Sequence, residues 1–242
     1  MNSALGILLL FISIVVLGAM LILRGKKGPS PLVRPLPAFQ DIRAETGYAA
    51  ESGGAIHIAL GSGALYGGDA VTSLAALQIA EALANTAISY DTPPIITVGD
   101  PTLLPLAEDT LRRVYERNGI IELYDSSKVR FIAHSPVAYA AGAGNVVATE
   151  DVTANIMAGD FGPEVSLIAD AGARQDLAQL AAVTAPAAIG ALYPAANRLA
   201  VGEELFAAGA HTTDKRHYQI SLVVQDIMRV IIVGLIILSI LF

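Results

Sequence analysis

The chain has 242 residues, a net charge of −7 and no cysteine. Roughly 175 residues lie between two apolar ends, which is enough for one domain with its own core and too few for two. The absence of cysteine excludes disulfides, thiol nucleophiles and thiolate metal sites, and the lack of a Lys/Arg run in the central part argues against nucleic-acid binding.

The N-terminal segment predicts a transmembrane helix over residues 4–23. This uncharged run of about twenty residues would span roughly 30 Å as a helix, the thickness of the hydrocarbon core of a bilayer. The alternative is a cleaved signal peptide, in which basic residues precede the apolar run. Here Arg24, Lys26 and Lys27 follow it. Because basic flanking residues stay in the cytoplasm, the N-terminus is expected outside.

Residues 24–37 contain four prolines, which favour an extended linker over a helix. A soluble domain is predicted for residues 38–212, beginning with a short amphipathic helix over Ala38–Ala50. Apolar runs bounded by turn residues then predict six buried strands: Ala55–Leu60, Pro94–Gly99, Val129–Ala133, Ala154–Ala158, Leu177–Val183 and Arg198–Val201.

Helices are predicted between and after these strands: Asp69–Ser89, Pro101–Asn118, Pro136–Ala148, Pro163–Arg174, Pro186–Asn197 and Glu203–Ala210. Asp100-Pro101 and Ser135-Pro136 each place a capping side chain before a proline at the first helical position. Strands that alternate with helices predict a mostly parallel sheet covered on both faces. The expected fold is therefore α/β, a Rossmann-like doubly wound domain of about six strands, flanked by two transmembrane helices.

Residues 213–242 predict a C-terminal helix that is amphipathic over Tyr218–Arg229 and uncharged from Val230 to Phe242. The uncharged part is about 20 Å long as a helix, so it predicts a second span, with a half-inserted helix as the alternative. Arg216 and Arg229 are expected at the membrane interface, like the basic residues after the first span. Both ends then predict a cytoplasmic domain with both termini outside.

Ligands of doubly wound folds bind beyond the carboxyl ends of the strands, near the point where the strand order reverses. The residues predicted at this edge are Gly61, Ser62, Gly63, Gly67, Gly68, Asp69, Asp100, His134, Asp160 and Glu203. They combine a glycine-rich loop with several acidic residues, so a small ligand such as a nucleotide is one candidate.

Each of these features also has a purely structural interpretation. The loop after the first strand lacks the third glycine of G-x-G-x-x-G, because Tyr66 stands there, and a tight turn capped by Asp69 is favoured over a phosphate cradle. The other acidic residues sit at helix starts, where they cap and complement the helix dipole. His57 lies inside a strand and is expected to be a core residue, whereas His134 is the best candidate for acid–base chemistry.

Three phrases of the sequence resemble a known family: Asp91–Ala107, Ser135–Gly142 and Gly202–Ala210. They are similar to an uncharacterised family of bacterial membrane proteins defined only as a domain of unknown function. The resemblance covers most of the domain and the C-terminal anchor. It implies a bacterial membrane protein, with the inner membrane as its location, and implies no activity, cofactor or catalytic residue.

Two functions remain open from the sequence. The favoured one is a membrane-anchored, non-catalytic protein that self-associates into a scaffold or ring, with the lipid bilayer and copies of itself as partners and with no cofactor. It follows from the low charge and alanine-rich composition of the domain, and from the anchors at both ends. The alternative is a sensor or enzyme that binds a small ligand or nucleotide at the carboxyl edge of the sheet.

Overall fold

The computed structural model describes residues 3–24, 36–39, 47–48, 51–212 and 216–241. Contacts divide the chain into two units, Leu36–Thr212 on the one hand and Met1–Pro35 with Thr213–Phe242 on the other. The first unit is the α/β domain, and the second contains the two terminal helices. Lys26 and Lys27, most of the predicted linker and most of the predicted helix Ala38–Ala50 lie outside the described residues.

The domain is built on one parallel sheet. Its strands are β1 (Ala55–Gly61), β2 (Ile95–Val98), β3 (Val129–Phe131), β4 (Val152–Asp160), β5 (Ala178–Val183) and β6 (Arg198–Val201). In the described part of the chain they form a six-stranded sheet in the order β3-β2-β1-β4-β5-β6, and every neighbouring pair is parallel. The predicted α/β class and the six predicted strands are confirmed.

The strand order reverses between β1 and β4. From β1 the chain moves outward through β2 to β3, then crosses back to β4 on the other side of β1 and continues outward to β6. His57 of β1 is level with Ile95 of β2 and with Asn155 of β4. The carboxyl ends of β1 and β4 therefore form the topological switch point at which doubly wound folds bind their ligands.

The helices with described bounds are α1 (Ser3–Arg24), α2 (Ala70–Ser89), α3 (Leu104–Arg117), α4 (Pro136–Thr149), α5 (Ser166–Ala173), α6 (Pro186–Leu192), α7 (Glu204–Thr212) and α8 (Arg216–Leu241). Three of them depart from their predicted limits. α3 begins after a turn at residues 100–103, and α5 follows a 3-10 turn over Pro163–Val165. α6 ends at Leu192, before the predicted Asn197, and the chain turns there into β6.

The helices of the domain form one layer on each face of the sheet. α4, α5 and α6 pack on one face around a core that includes Tyr139, Met157, Ile168 and Leu192. α2 contacts both α3 and α7. Parallel crossovers are right-handed, so connections that lead in opposite directions along the sheet lie on opposite faces. α2 and α3 lead from β1 towards β3, whereas α5 and α6 lead from β4 towards β6. α2 and α3 therefore lie on the face opposite to α4, α5 and α6.

Strand alternation divides the side chains between these two layers. Ile56, Ile58 and Leu60 of β1 are fully buried apolar residues, as expected of a strand covered on both faces. His57 and Ala59 point to the opposite face, and Ala59 belongs to the core beneath α4, α5 and α6. Polar side chains in this face therefore lie in the interior of the domain.

The terminal helices form the second unit, in which α1 and α8 contact each other. By length and composition, two helical stretches of the described residues are able to cross a membrane, Gly67–Ser89 and His217–Ile237, and a shorter apolar stretch covers Leu10–Met20. A core helix of a soluble domain meets the same criterion. The first stretch contains α2 and is 61% buried, as expected of a helix that packs inside the domain. The second is only 17% buried. The predicted continuous C-terminal helix through Arg229 is confirmed as α8.

Candidate functional site

The carboxyl ends of β1 and β4 touch each other at Gly61. Its φ angle is +79°, and the amide of the following residue, Ser62, donates a 3.0 Å hydrogen bond to the carbonyl oxygen of Asp160. A Cβ atom at Gly61 would collide with that same carbonyl. Both the positive φ and the close approach therefore require glycine at the point where the predicted ligand loop leaves the sheet.

Three acidic residues gather beside this contact. A Cβ atom placed on Gly63 would lie 2.9 Å from the Cβ of Asp160 and 3.5 Å from the Cβ of Asp69, so the loop runs between them. Partial burial raises the pKa of Asp160, and the nearby carboxylates of Asp69 and Glu164 raise it further. The switch point is thus anionic, which opposes the binding of phosphate groups there.

Asp100 and His134, which the sequence predicted separately, lie together at the ends of β2 and β3. The Asp100 side chain is 3% exposed, whereas that of His134 is 73% exposed. His134 Nδ1 lies 3.4 Å from Asp100 Oδ2. With the proton on Nδ1, the imidazole would present Nε2 to solvent as a base or a ligand atom.

Thr102 holds Asp100 in this position and connects it to the glycine-rich loop. Its amide donates a 2.9 Å hydrogen bond to Asp100 Oδ1, and its hydroxyl donates to the same oxygen. The Thr102 hydroxyl also accepts a 3.1 Å hydrogen bond from the amide of Leu65. Asp100 therefore caps the turn that precedes α3, and Thr102 joins the loops after β1 and β2.

Three other residues predicted at this edge lie outside the acidic group at the switch point and the Asp100–His134 pair. Gly67 has a φ of +73° but no heavy atom within 4 Å of a Cβ, and the same space is open at Gly68. Glu203 follows β6, three strands away from β1 and therefore on the order of 14 Å from it. The predicted capping of helices by the side chains of Asp69 and Ser135 is wrong, since neither makes a cap hydrogen bond.

A row of buried polar side chains crosses the sheet beneath this edge. His57 of β1 lies between two of them, with Nδ1 at 2.8 Å from Asn155 Oδ1 and Nε2 at 3.0 Å from Thr97 Oγ1. Asn155 Nδ2 donates to Gln179 Oε1 at 2.8 Å. At the other end, Tyr139 donates to the carbonyl of Thr97 at 3.1 Å and accepts from the amide of Gly61 at 3.2 Å.

Backbone groups at one end of the row fix the direction of its hydrogen bonds. Gln179 Nε2 donates to the carbonyls of Ala169 (2.9 Å) and Ala195 (3.3 Å), so its Oε1 must accept from Asn155. Asn155 Oδ1 then accepts from His57, which places the ring proton of His57 on Nδ1. His57 Nε2 is left to accept from the Thr97 hydroxyl, and every member of the row is satisfied.

Burial keeps this row neutral. Desolvation lowers the pKa of His57 to about 4, although the hydrogen bond to Asn155 opposes the change. Burial likewise raises the pKa of Tyr139 to about 12, against the effect of its hydrogen bonds. His57 is therefore a satisfied core residue, in agreement with the sequence-based interpretation, and the row holds the sheet and the first residue of the glycine-rich loop in place.

Several residues of the switch point, the Asp100–His134 pair and the buried polar row were not predicted from the sequence: Thr97, Thr102, Tyr139, Asn155, Glu164 and Gln179. Asn155 and Gln179 offered a signal, because each is an amide within an otherwise apolar strand. Among the described residues, no group of three or more His, Asp or Glu side chains is arranged to hold a metal ion.

The strand order, the all-parallel pairing and the two helix layers define a doubly wound α/β domain with the Rossmann order of strands. The chain belongs to the family described as a domain of unknown function, DUF6754, whose model matches residues 2–242. No curated protein and no solved structure matches the chain at a significant level.

Proposed function

We propose that this chain is a membrane-anchored, non-catalytic α/β protein that self-associates into a homo-oligomeric assembly, a scaffold or ring. The observation that carries the proposal is the uneven distribution of charge over the outside of the domain. Charge is concentrated on α3, whereas α2, α4, α5, α6 and α7 each contain at most one Asp, Glu, Lys or Arg residue.

α3 is the charged helix of the domain. Arg112 forms ion pairs with Asp109 at 2.9 Å and with Glu116 at 2.7 Å, and Arg117 reaches Glu81 of α2 at 2.5 Å. The two arginine side chains are about half exposed and the acids are a quarter to a half exposed, so the pairs add little stability. They make α3 a good water-facing surface.

The other helices of the domain carry few such groups. α4 and α6 contain no charged residue, and the one charged residue of α5, Asp170, is paired with Arg174 at 2.7 Å. Water-facing surfaces usually carry charge on about a quarter to a third of their residues. In a chain with a net charge of −7, outer helices with so little charge support contact with another protein surface.

The outer surfaces of the terminal helices support anchoring in a bilayer. In α1, Ile7 is 68% and Phe11 is 65% exposed, and in α8, Val230 is 73% and Ile236 is 54% exposed. Apolar side chains at this density, on two helices that contact each other, suit a lipid environment. In α8 the last charged residue, Arg229, is paired with Asp226 at 3.1 Å, and Val230–Leu241 is entirely uncharged.

We place the protein in the bacterial inner membrane, with the domain in the cytoplasm and both termini outside. This sidedness rests on the basic residues Arg24, Lys26, Lys27, Arg216 and Arg229, all of which lie on the domain side of an uncharged run. The cysteine-free chain permits a direct test with Ser3→Cys and Ser127→Cys. An impermeant maleimide applied to intact cells should label only the first variant, and labelling of only the second would reverse the orientation.

Self-association is tested on the full chain extracted in detergent. Native mass spectrometry and mass photometry should give particles with several copies of the 25.1 kDa chain. Particles of one size over a tenfold range of protein concentration would indicate a closed assembly with a fixed number of copies. A monomer at all concentrations, in several detergents and in nanodiscs, would rule the proposal out.

A second candidate, a ligand at the switch point, is favoured by the Asp100–His134 pair beside the glycine-rich loop. The acidic groups Asp69, Asp160 and Glu164 make a neutral or cationic ligand a better fit than a free phosphate. A thermal-shift screen with nucleotides, nucleotide sugars and divalent cations tests it. Stabilisation that disappears in the Asp100→Asn, Asp160→Asn double variant would support this function, and a screen without a hit would count against it.

A further inference from the structure

Two charged residues, Asp226 and Arg229, lie in the middle of α8. The uncharged run that follows them, residues 230–241, is only about 18 Å long as a helix, whereas the hydrocarbon core of a bilayer is about 30 Å thick. A helix needs about 20 residues to cross this core, so a complete crossing by α8 includes roughly eight residues before Val230. In the proposed orientation, Asp226 and Arg229 then lie inside the bilayer, close to its cytoplasmic interface.

The composition of α8 and its contact with α1 support a complete crossing. The stretch His217–Ile237 is long and apolar enough to cross a membrane, and it contains both charged residues. α1, which contacts α8, is uncharged over about twenty residues, the length that the bilayer core requires. Two helices that cross the same bilayer span the same thickness, so α8 carries the charged pair into the membrane.

The charged pair lies on the outer side of α8. The side chains of Asp226 and Arg229 are 64% and 48% exposed, and Nη1 of Arg229 donates a 3.1 Å hydrogen bond to Oδ1 of Asp226. The covered side of the helix is a different one, where Ile220 and Val224 are only 2% and 4% exposed. Charged side chains inside a membrane almost always face another protein segment or water, because lipid does not solvate them. The outer side of α8 therefore needs a polar partner at this level.

A groove and a seam of exposed residues run along α8 beside this pair. The groove has a volume of about 370 Å³ and is lined by Val223, Asp226, Ile227, Val230 and Ile231. The seam contains residues at alternating intervals of three and four, the spacing at which two parallel helices pack side by side: Val223, Asp226, Val230, Val233 and Ile237. Its last three side chains are 73%, 54% and 53% exposed. The seam is thus apolar with one carboxylate, and a single polar residue at such a position fixes the register of a helix pair.

The charges beside the seam identify a second copy of α8 as the helix that fits it. Copies anchored in one bilayer with the same orientation are related by rotation about the membrane normal, so Asp226 of one copy lies level with Asp226 of the other. Arg229 is about 4.5 Å further along the helix, but helical side chains lean towards the N-terminus. Its guanidinium therefore reaches the level of Asp226 in its own helix, and it reaches the same level in the neighbouring helix.

The carboxylate has the capacity for this additional contact. Within the described part of the chain, Arg229 is the one hydrogen-bond partner of Asp226, and a carboxylate accepts up to about four hydrogen bonds. In a two-fold arrangement, Arg229 of each copy binds Asp226 of the other, so the contact is self-complementary. An anionic lipid headgroup would be attracted by Arg229 but repelled by Asp226, and it therefore fits this surface less well than a second copy.

We propose that copies of this chain contact each other inside the bilayer through the seam of α8, with Asp226 of each copy bound to Arg229 of the other. The inference rests on the proposed anchoring and self-association, and it specifies where the contact occurs. Both charged side chains then have a protein partner within the membrane. The uncharged outer side of α1, with Ile7 and Phe11 exposed, is left to face lipid.

The test uses two variants that should repel themselves and attract each other. Asp226→Arg leaves two positive charges at this level of α8, and Arg229→Asp leaves two negative ones. Each full-length variant carries its own affinity tag and is produced alone and together with the other. Membrane insertion is checked by resistance to extraction with alkaline carbonate, and the number of copies is measured by mass photometry in detergent over a range of concentrations.

Each variant alone is expected to self-associate at least roughly tenfold more weakly than the wild type, because like charges would face each other in the contact. Produced together, the two should co-purify and recover the wild-type number of copies. A charged pair that acts only within its own helix predicts the same defect with or without the other variant, and that result overturns the inference. Variants that assemble alone as the wild type does also overturn it while leaving self-association intact. A monomeric wild type overturns self-association itself.

Cysteine cross-linking tests the same contact without a change of charge, and it decides the question if a charge variant does not insert. Val233→Cys lies in the seam and Ile14→Cys lies on α1, at side chains that are 54% and 59% exposed, and each introduces the single cysteine of the chain. Under mild oxidation of isolated membranes, Val233→Cys is expected to form a disulfide-linked dimer and Ile14→Cys to remain a monomer.

Two cross-linking results would overturn the inference. A dimer at Ile14 alone assigns the contact to α1. If neither position cross-links although the wild type assembles, the seam of α8 faces lipid and the copies meet elsewhere.

Discussion

The Nδ1–H group of His57 donates a 2.8 Å hydrogen bond to Oδ1 of Asn155 on the neighbouring strand. The two residues are 98 positions apart in the sequence and level with each other in the sheet. Through this bond the polar row joins β2, β1, β4 and β5, at the centre of an otherwise apolar core. A buried row of this kind contributes to stability only while all of its members are satisfied.

Removal of the central amide should therefore be costly. Asn155→Ala leaves the Nδ1–H of His57 and Oε1 of Gln179 without partners in the interior, so we expect the free energy of unfolding to fall by roughly 2–4 kcal/mol. Thermal and urea unfolding of the full chain in detergent, followed by circular dichroism, measures the effect. Asn145→Ala, on the exposed side of α4, is the matched control and should change stability by less than about 0.5 kcal/mol.

The low pKa of His57 makes stability depend on pH. In the unfolded chain this histidine takes up a proton near pH 6.5, but in the folded domain burial lowers its pKa to about 4. Its contribution is fully present above pH 6.5 and is lost as the pH falls from 6.5 towards 4. The expected loss is about 3 kcal/mol, and unfolding measured at several pH values over this window would reveal it.

His57→Gln separates this effect from other titrations, because a glutamine can donate and accept in the same position without titrating. The variant should lose most of the slope between pH 6.5 and 4. A slope equal to that of the wild type would show that another group is responsible. The ¹⁵N chemical shifts of His57 provide a second check, since they should report a neutral ring with its proton on Nδ1 at pH 7.

Asp160→Asn is expected to stabilise the domain at neutral pH. Burial and the carboxylates of Asp69 and Glu164 raise the pKa of Asp160, so its ionised form is disfavoured in the folded state. The neutral asparagine avoids this cost above the pKa, whereas at low pH the native aspartate is itself protonated and the advantage vanishes. Melting temperatures at pH 7 should rise by a few degrees and converge with those of the wild type towards acid pH.

Asp170→Asn is the control for this prediction, because Asp170 is exposed and paired with Arg174 on the outer side of α5. It should leave the melting temperature nearly unchanged or lower it slightly. If both variants stabilise equally, relief of the overall negative charge explains the result. A stabilisation confined to Asp160→Asn assigns it to the acidic switch point.

Gly61 and Gly67 allow the cost of steric crowding to be separated from that of backbone conformation. Both have a positive φ, +79° and +73°, but a Cβ meets the backbone of Asp160 only at Gly61. Gly67→Ala should cost about 1 kcal/mol from the conformation alone, and Gly61→Ala distinctly more because the carboxyl ends of β1 and β4 must separate. Equal losses in urea unfolding would show that the end of β1 relaxes freely.

Much of the architecture was predictable because the signals are local. Apolar runs of strand length that alternate with helical segments predicted all six strands to within a few residues, and parallel pairing follows because such helices serve as crossovers. Helix starts were predicted less well at α3 and α5, since the prolines at positions 101 and 163 begin turns there and the helices begin three residues later. Contacts with neighbouring loops, such as the hydrogen bond from the amide of Leu65 to the hydroxyl of Thr102, decide those details.

The candidate site depended on strand order, which local patterns do not contain. The sequence placed ten residues at one edge of the sheet, but only the order of strands decides that Gly61 meets Asp160 and that Glu203 lies three strands away. The approach of His134 to Asp100 has the same origin, because β3 adds next to β2. These contacts join distant parts of the chain, so no short window of sequence carries their geometry.

By itself, the sequence determined the apolar ends, the alternation of strands and helices, and a domain poor in charge, because these depend on which side chains follow one another. The tertiary structure alone decided which helices share a face, and therefore that α2 and α3 cover one side of the sheet and α4, α5 and α6 the other. It also aligned His57, Asn155 and Gln179 into one row. Such groupings arise when distant segments pack together, since the hydrophobic core and the register of the strands select one arrangement of the whole chain.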